Sequence, residues 1–352
     1  MSSQTSDDLY NGALAAFTAG RNDDAAGLLR QASAAGHVPS MSLLGAQLLT
    51  GRALAPDPNG GAKLIFDAAA RGGAYACGVA AAILAAGVQG PADWPGALDY
   101  LQRAAELGHA VAQEQLRILA GSGGDDWTAL RRAVDPRSWR TAPMPRELSA
   151  DPVMTVVDGL LSPLVCRWLI LRSRDRLRPA QLFAVDTLQP VERSTRTNSY
   201  APFDLIAGDL VSLAARERLG AAFGYEVPAM EGAQVFHYAV GQEFAPHFDF
   251  LEPDAPGQAQ SIASRGQRIA TILVYLNEDF EGGETNFPRL GVKFSGRPGD
   301  AFMFANVGAD GEPDRRTLHA GLPPTSGEKW LLSQWVRDRA APDLGAHPPA
   351  EA

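Results

Sequence analysis

The chain has 352 residues, 45% of them hydrophobic, so it is long enough for two domains that each build a core. Its net charge of −9 and isoelectric point near 5.2 argue against a nucleic-acid or anionic-membrane surface. Cys77 and Cys166 are the only cysteines and no apolar run approaches the roughly 18 residues of a membrane span, so we expect a soluble cytoplasmic protein without a disulfide framework.

An internal repeat with a period of 36 residues runs through the first part of the chain. Two series of glycines keep this spacing: Gly36, Gly72 and Gly108, and Gly51, Gly87 and Gly123. Small residues recur around them, and apolar residues recur at helical spacing. Such a period is typical of stacked helical hairpins, in which glycines end the helices. We predict a helical repeat domain over residues 1–124 and a linker over residues 125–152.

The repeats resemble the Sel-one-like, tetratricopeptide-related family. Its pattern of two alanines, a glycine and a further alanine stands here at residues 104–112 (AAELGHAVA). The resemblance implies an adaptor surface for a protein or peptide partner. The alternative is that the repeats only pack against the second domain and stabilise it.

Short strand-like runs separated by Gly and Pro turns fill the second domain, predicted over residues 153–338. Ser162-Pro163 predicts the start of a helix. The strand-like runs are residues 154–157, 234–240, 269–276, 301–304 and 330–336. Several short strands of this kind indicate a sandwich or jelly-roll barrel. We expect a mobile loop at residues 252–266, and a disordered tail at residues 339–352.

Three residues in this domain are candidate metal ligands. His247 and Asp249 are two positions apart, so in an extended segment they share a face. His319 lies 70 residues after Asp249. Two histidines and one carboxylate form the set that suits non-haem Fe(II) and leaves coordination positions open.

Lys329 adds a cation to this set. The segment 318–330 reads as strand, turn and strand, and in a simple hairpin His319 and Lys329 would lie opposite each other. A buried cation needs an anion, because an unpaired buried charge is costly. A dicarboxylate that chelates the metal with one end and reaches Lys329 with the other would meet that need, as 2-oxoglutarate does.

The motifs of this region resemble the prolyl 4-hydroxylase family of 2-oxoglutarate- and Fe(II)-dependent dioxygenases. They are residues 234–249 (QVFHYAVGQEFAPHFD), 267–277 (QRIATILVYLN), 282–288 (GGETNFP), 299–301 (GDA), 319–321 (HAG) and 327–330 (GEKW). The resemblance covers roughly residues 153–338 and implies a double-stranded β-helix flanked by helices.

The resemblance also implies roles for individual residues. His247, Asp249 and His319 would hold the iron. Lys329 would bind the distal carboxylate of 2-oxoglutarate, with Tyr238 and Thr271 as hydrogen-bonding neighbours. Arg268 and Arg196 would act in catalysis near the substrate. The segment 193–203 resembles the family's substrate-lining loop, with Asn198 and Ser199 as further contacts.

These roles imply a hydroxylase that converts 2-oxoglutarate to succinate and CO₂, with ascorbate as an additional candidate cofactor. The substrate implied is a prolyl residue in a protein or peptide, which the repeats could present. Two alternatives stay open. One is hydroxylation of a free cyclic amino acid such as proline or pipecolate, and the other is a repeat-based interaction or sensor protein without turnover.

Overall fold

Helical hairpins fill the first part of the chain. In a computed structural model, which describes residues 4–180, 182–183, 190–191, 196–203 and 209–340, the chain divides into two units, one up to Pro136 and the other mostly from Arg137 onward. The helices of the first unit are α1 (Ser6–Thr18), α2 (Asn22–Ala34), α3 (Val38–Thr50), α4 (Pro58–Ala70), α5 (Ala74–Ala86), α6 (Trp94–Glu106), α7 (Ala110–Ala120) and α8 (Trp127–Ala133).

The predicted helical repeat is confirmed. Helices α2, α4 and α6 begin at residues 22, 58 and 94, and α3, α5 and α7 at residues 38, 74 and 110, so both series advance by 36. Alanines with no exposed surface pack between the helices, which lets the backbones approach closely. The prediction that Gly123 ends the third helix of this series is wrong. Helix α7 ends two residues earlier, because Gly121 already takes the left-handed conformation with a φ of 61°.

The segment predicted as a linker contains regular structure. It holds α8, a short 3-10 helix (Pro136–Arg140) and strand β1 (Arg146–Ala150). The exact domain boundaries stay a prediction. Each helix in the described part of the chain is too short or too polar to cross a bilayer.

Antiparallel strands dominate the second unit. After β1 follow β2 (Val153–Val157), α9 (Pro163–Arg174), β3 (Arg178–Pro179), β4 (Leu182–Phe183), β5 (Pro190–Val191), β6 (Ser199–Phe203), α10 (Leu210–Phe223), β7 (Ala233–Tyr238), β8 (Phe244–His247), α11 (Pro256–Arg265), β9 (Arg268–Tyr275), β10 (Phe280–Gly282), β11 (Thr285–Phe287), β12 (Val292–Phe294), β13 (Ala301–Ala305), β14 (His319–Gly321), β15 (Pro324–Gly327) and β16 (Lys329–Arg337). Helix α9 begins at the predicted position, where the Ser162 hydroxyl accepts from the backbone N–H of Val165.

The strands form the predicted double-stranded β-helix. One sheet has the order β1-β2-β13-β9-β16-β7-β6-β3 and another has the order β12-β11-β14-β8, with β10 paired to β15 and β4 to β5. Aromatic rings fill the space between the two larger sheets. Phe287 of β11 meets Phe302 and Phe304 of β13 edge-on, at centroid distances of 5.8 and 5.0 Å.

The prediction of a mobile loop at residues 252–266 is wrong, because this segment contains helix α11. Its composition is polar, so its periodicity gives little sign of a helix. Two arginines, one at the end of β16 and one just beyond it, hold its C-terminal end: Arg339 donates to the carbonyls of Ile262 and Ala263, and Arg337 donates to that of Gly266. Cationic side chains on the last carbonyls of a helix stabilise that end. The expected disordered tail lies almost entirely outside the described residues.

The turn before β13 gives a stability prediction. Gly299 has a φ of 92°, and a Cβ there would lie 1.9 Å from the carbonyl oxygen of Leu161. Gly291 has a similar φ of 67° but open space around it. We expect Gly291→Ala to cost about 1–2 kcal/mol through backbone strain alone, and Gly299→Ala to cost about 1–3 kcal/mol more through the clash. Urea denaturation of both variants measures the difference, and equal losses would contradict this account of Gly299.

Candidate metal centre and active site

The three predicted metal ligands converge. His247 ends β8 and lies opposite His319 of β14 in the strand register, and the ring centroids are 4.3 Å apart. Asp249 lies in a bend just beyond β8, so the bend rather than strand alternation directs its carboxylate. Its Oδ1 is 3.6 Å from His247 Nε2, and its Oδ2 is 3.5 Å from His319 Nε2. One donor atom from each residue lies within 4.8 Å of the others.

Backbone carbonyls set the tautomer of both imidazoles. The Nδ1 of His247 is 2.9 Å from the carbonyl oxygen of Ala245, and the Nδ1 of His319 is 3.0 Å from that of Thr317. A carbonyl can only accept, so each Nδ1 carries the hydrogen and donates it. The Nε2 lone pairs are therefore free to bind a metal, in an orientation fixed by the backbone.

Aromatic rings enclose the two histidines. Phe244 stacks on His247 at 3.5 Å, and Phe304 and Phe287 flank His319 at 4.7 and 5.4 Å. Burial lowers the pKa of His319 to about 4, so this imidazole is neutral at pH 7. Burial raises the pKa of Asp249, but the two imidazoles and the Thr271 hydroxyl outweigh it and hold that pKa below its ordinary range. Neutral imidazoles and an ionised carboxylate are the forms that bind a metal.

Lys329 is a fully buried cation at the start of β16. Its Nζ donates to the carbonyl oxygen of Gly283 at 2.6 Å and lies 5.1 Å from the ring centroids of both Tyr238 and Tyr275. That hydrogen bond goes to a neutral carbonyl and not to a carboxylate. Burial lowers the pKa of Lys329 to about 7, although Glu284 opposes the shift.

The predicted hairpin between His319 and Lys329 is wrong. His319 pairs with His247, whereas Lys329 pairs with Tyr238 of β7 in the other large sheet. Between them β15 pairs with β10, so the chain crosses from one sheet to the other instead of folding back on itself. The two residues nevertheless line the same cavity, because the sheets face each other.

One cavity joins the metal ligands to Lys329. All three ligands and Lys329 line it, together with Phe236, Tyr238, Phe244, Leu273, Thr285, Gly321, Leu331, Ser333 and Trp335. Its walls are mostly apolar, and they carry both the group of metal-ligating side chains and a cationic side chain. This arrangement suits a small anion that reaches both the ligating side chains and Lys329.

Comparisons with known proteins agree with this geometry. Residues 233–337 match the model of the 2OG-Fe(II) oxygenase superfamily. The chain is 33% identical over 211 residues to prolyl 4-hydroxylase 1 of Arabidopsis thaliana. The alignment covers 56% of this chain and 72% of that protein. The chain belongs to the prolyl 4-hydroxylase family. Members of the 2OG-Fe(II) oxygenase superfamily use Fe(II) and 2-oxoglutarate, so the protein is a 2-oxoglutarate-dependent dioxygenase.

Two solved structures are each similar to part of the chain. The viral collagen prolyl hydroxylase of Paramecium Bursaria Chlorella virus-1 is 27% identical, covers 52% of this chain and 95% of its own, and has a TM-score of 0.39. A Sel1 repeat protein from Oxalobacter formigenes is 20% identical, covers 39% of this chain and 61% of its own, and has a TM-score of 0.31.

The donor set of this family member fits Fe(II). Two imidazole nitrogens and one carboxylate oxygen converge, and they leave the cavity side open for further ligands. Lys329 lines the same cavity and donates to the neutral Gly283 carbonyl, so its charge is available to an anionic ligand. A 2-oxoacid with a distal carboxylate therefore matches both the metal-ligating set and Lys329.

Thr271, predicted as a neighbour of 2-oxoglutarate, contacts a candidate metal ligand, and its role toward 2-oxoglutarate stays a prediction. Its hydroxyl donates to Asp249 Oδ2 at 2.7 Å, and Asn306 Nδ2 donates to the same hydroxyl at 3.0 Å. Sequence reasoning missed Asn306. Its only local signal was that a polar residue follows the apolar run of β13.

The two arginines expected in catalysis each pack on rings that line the cavity. The Arg196 guanidinium lies 4.3 Å from the Phe244 ring and 4.9 Å from the Phe236 ring, and its Nε donates to Asn198 at 3.1 Å. Arg268 lies 4.0 Å from the Trp335 ring. Their catalytic roles stay predictions, as do substrate contacts from Asn198 and Ser199. The predicted substrate loop begins at Arg193, and residues 193–195 lie outside the described residues.

Arg268 also forms a bidentate ion pair with Glu231, at 2.6 and 2.9 Å, and Arg337 bonds to the same carboxylate. Burial raises the pKa of Glu231, but the two guanidinium groups outweigh it and bring the pKa to about 2. Sequence reasoning missed Glu231, because its partners lie 37 and 106 residues away.

The lowered pKa of Lys329 predicts how the free energy of unfolding depends on pH. Its pKa is about 7 in the folded protein and near 10.5 when exposed, so between these values the unfolded chain binds a proton that the folded chain does not. The free energy of unfolding should therefore rise with pH across this window, relative to Lys329→Met, with a slope approaching about 1.4 kcal/mol per pH unit. Urea denaturation of both metal-free proteins at several pH values measures this, and a difference independent of pH would contradict it.

Proposed function

We propose that this protein is a 2-oxoglutarate- and Fe(II)-dependent hydroxylase of prolyl residues in a protein or peptide. His247, Asp249 and His319 hold the iron, and Lys329 binds the distal carboxylate of 2-oxoglutarate. One observation carries the proposal: the three candidate metal ligands converge, and a buried lysine lines the same cavity.

Iron in this site supplies the oxidation, in which one oxygen atom of O₂ enters a C–H bond of the substrate and the other enters succinate as 2-oxoglutarate loses CO₂. The chain positions the reactants and excludes water. The rings of Phe244, Phe287 and Phe304 surround the ligand imidazoles and keep the site dry. A dry site strengthens the attraction between Lys329 and a carboxylate.

Tyr238 is proposed as a hydrogen-bond donor to 2-oxoglutarate. It lines the cavity and is the register partner of Lys329 on the neighbouring strand. Burial raises the pKa of its hydroxyl, so the hydroxyl keeps its proton at physiological pH. Gly321 gives the hydroxyl room, because a Cβ at that position would lie 3.0 Å from it.

The prolyl substrate is proposed from the 33% identity to prolyl 4-hydroxylase 1. Arg196 and Arg268, which pack on rings of the cavity wall, are proposed to contact the substrate. We also propose the helical repeats as the surface that binds the protein carrying the prolyl residue. The use of ascorbate and a cytoplasmic location stay predictions.

A substrate panel tests the proposal. Iron-loaded protein is incubated with 2-oxoglutarate, O₂ and proline-containing peptides, and in parallel with free proline and pipecolate. We expect a mass increase of one oxygen atom in a peptide, with succinate formed in equal amount. His247→Ala is the negative control.

The two alternatives give different results in the same panel. Oxygen incorporated only into a free amino acid would overturn the prolyl-peptide substrate but keep the chemistry. A protein that binds iron and 2-oxoglutarate yet forms no succinate with any compound would instead be a sensor or interaction protein.

A further inference from the structure

Three side chains form a hydrogen-bonded series behind the metal centre. Asn306, directly after β13, is 3.0 Å from the Thr271 hydroxyl, and that hydroxyl is 2.7 Å from Asp249 Oδ2. Asn306 and Thr271 have no exposed surface. Neither residue is among those that line the cavity.

Chemistry fixes the direction of both hydrogen bonds. An ionised carboxylate can only accept, so the single hydroxyl hydrogen of Thr271 goes to Asp249. Thr271 can then only accept from Asn306, which requires the NH₂ group of the amide at that contact. This orientation leaves Asn306 Oδ1 buried without a hydrogen-bond partner among the described residues. An unsatisfied buried acceptor is unfavourable, so the side chain is held here for its donor and not for its acceptor.

The backbone keeps Asn306 in place independently of its side chain. Its N–H donates to the carbonyl of Ile269 on β9, and its carbonyl accepts from the N–H of Asp314. Thr271 lies on the same strand, β9, opposite Trp335 of β16 in the register. Thr271 therefore reaches Asp249 from a strand paired on both sides, and Asn306 reaches Thr271 from a backbone that is hydrogen-bonded to that strand.

We propose that Asn306 and Thr271 are positioning residues that fix the Asp249 carboxylate as a metal ligand. The inference rests on the proposed metal centre. The Thr271 hydroxyl holds Oδ2, which limits rotation of the carboxylate and prevents both oxygens from turning onto the metal. Asn306 in turn commits the hydroxyl hydrogen to Asp249. The two side chains fix the orientation of the carboxylate, as the Ala245 and Thr317 carbonyls fix the orientation of the two imidazoles.

Co(II) titration of the metal-free protein tests the role without any need for turnover, because Co(II) absorbs visible light according to its coordination. We expect Thr271→Val, which keeps the shape and removes the donor, to weaken Co(II) affinity about 10- to 100-fold and to change the bound spectrum. Asn306→Leu should weaken it in the same direction. Thr271→Ser, which restores the hydroxyl, should return the affinity to within about threefold of the wild type, since a hydroxyl group is all that the role requires.

Thr155→Val is the matched control. Thr155 lies on β2 of the same sheet, and its buried hydroxyl has no hydrogen-bond partner among the described residues, so its loss should leave metal binding unchanged. If Thr271→Val fails to fold, as seen by circular dichroism, Asn306→Leu decides the question. Wild-type affinity and spectrum in a folded Thr271→Val or Asn306→Leu variant would overturn the inference. A wild type that binds no Co(II) would instead overturn the proposed metal centre.

Discussion

Replacing Lys329 with alanine is expected to weaken 2-oxoglutarate binding by about a hundredfold to several thousandfold. The ammonium is fully buried, and removing it leaves the distal carboxylate of the co-substrate in an apolar cavity without a partner. Breaking a buried ion pair in this way costs about 3–5 kcal/mol, which corresponds to two to four decades in affinity. Anaerobic titration of the iron-loaded protein with 2-oxoglutarate measures the change.

Two variants separate charge from other effects. Lys293→Ala removes an exposed lysine of β12 and should leave the affinity unchanged. Lys329→Met keeps most of the side-chain volume, so it should weaken binding nearly as much as Lys329→Ala if charge is the cause. An affinity for Lys329→Ala within fivefold of the wild type would rule out the proposed role of Lys329.

Replacing His319 with alanine is expected to abolish 2-oxoglutarate turnover. The variant keeps only His247 and Asp249, and the lost imidazole is the one most enclosed by the aromatic core. Two ligands cannot hold the metal in the geometry that leaves the right positions open. Iron content after reconstitution and succinate formation with an active substrate are the two measurements.

His237→Gln is the matched control for this variant. His237 is also a strand histidine, but its Nε2 bonds to Glu328, and it does not belong to the cluster of ligands. It should keep iron and activity. Turnover by His319→Ala at wild-type iron occupancy would contradict the ligand assignment.

Much of the fold follows from local patterns. The glycine period of 36 predicted the helical hairpins, because each helix end needs a residue that tolerates positive φ. Helix α7 shows the limit of this reasoning. Gly121 and Gly123 both satisfy the rule, and the period alone selects the wrong one.

The cluster of candidate metal ligands could be predicted because metal chemistry restricts the residue types. The position of Lys329 relative to His319 could not, since it depends on strand pairing across the two sheets. A hairpin and a crossover would both bring His319 and Lys329 to one cavity. The prediction that the two residues lie near each other therefore agrees with the structure, although the predicted strand pairing does not.

The residues around the ligands were beyond sequence reasoning for a different reason. Strand alternation shows that Thr271 can face the interior, but it does not say whether the hydroxyl meets a co-substrate or Asp249. Asn306 and Glu231 act through partners 35 or more residues away. Helix α11 likewise depends on Arg337 and Arg339, which lie far along the chain.

Anomalous diffraction at the iron edge, from crystals grown anaerobically with Fe(II) and 2-oxoglutarate, tests the central claim most directly. The predicted result is one iron bonded to His247 Nε2, Asp249 and His319 Nε2, with the far carboxylate of 2-oxoglutarate against Lys329 Nζ. Iron elsewhere, or a co-substrate whose far carboxylate lies away from Lys329, would contradict it.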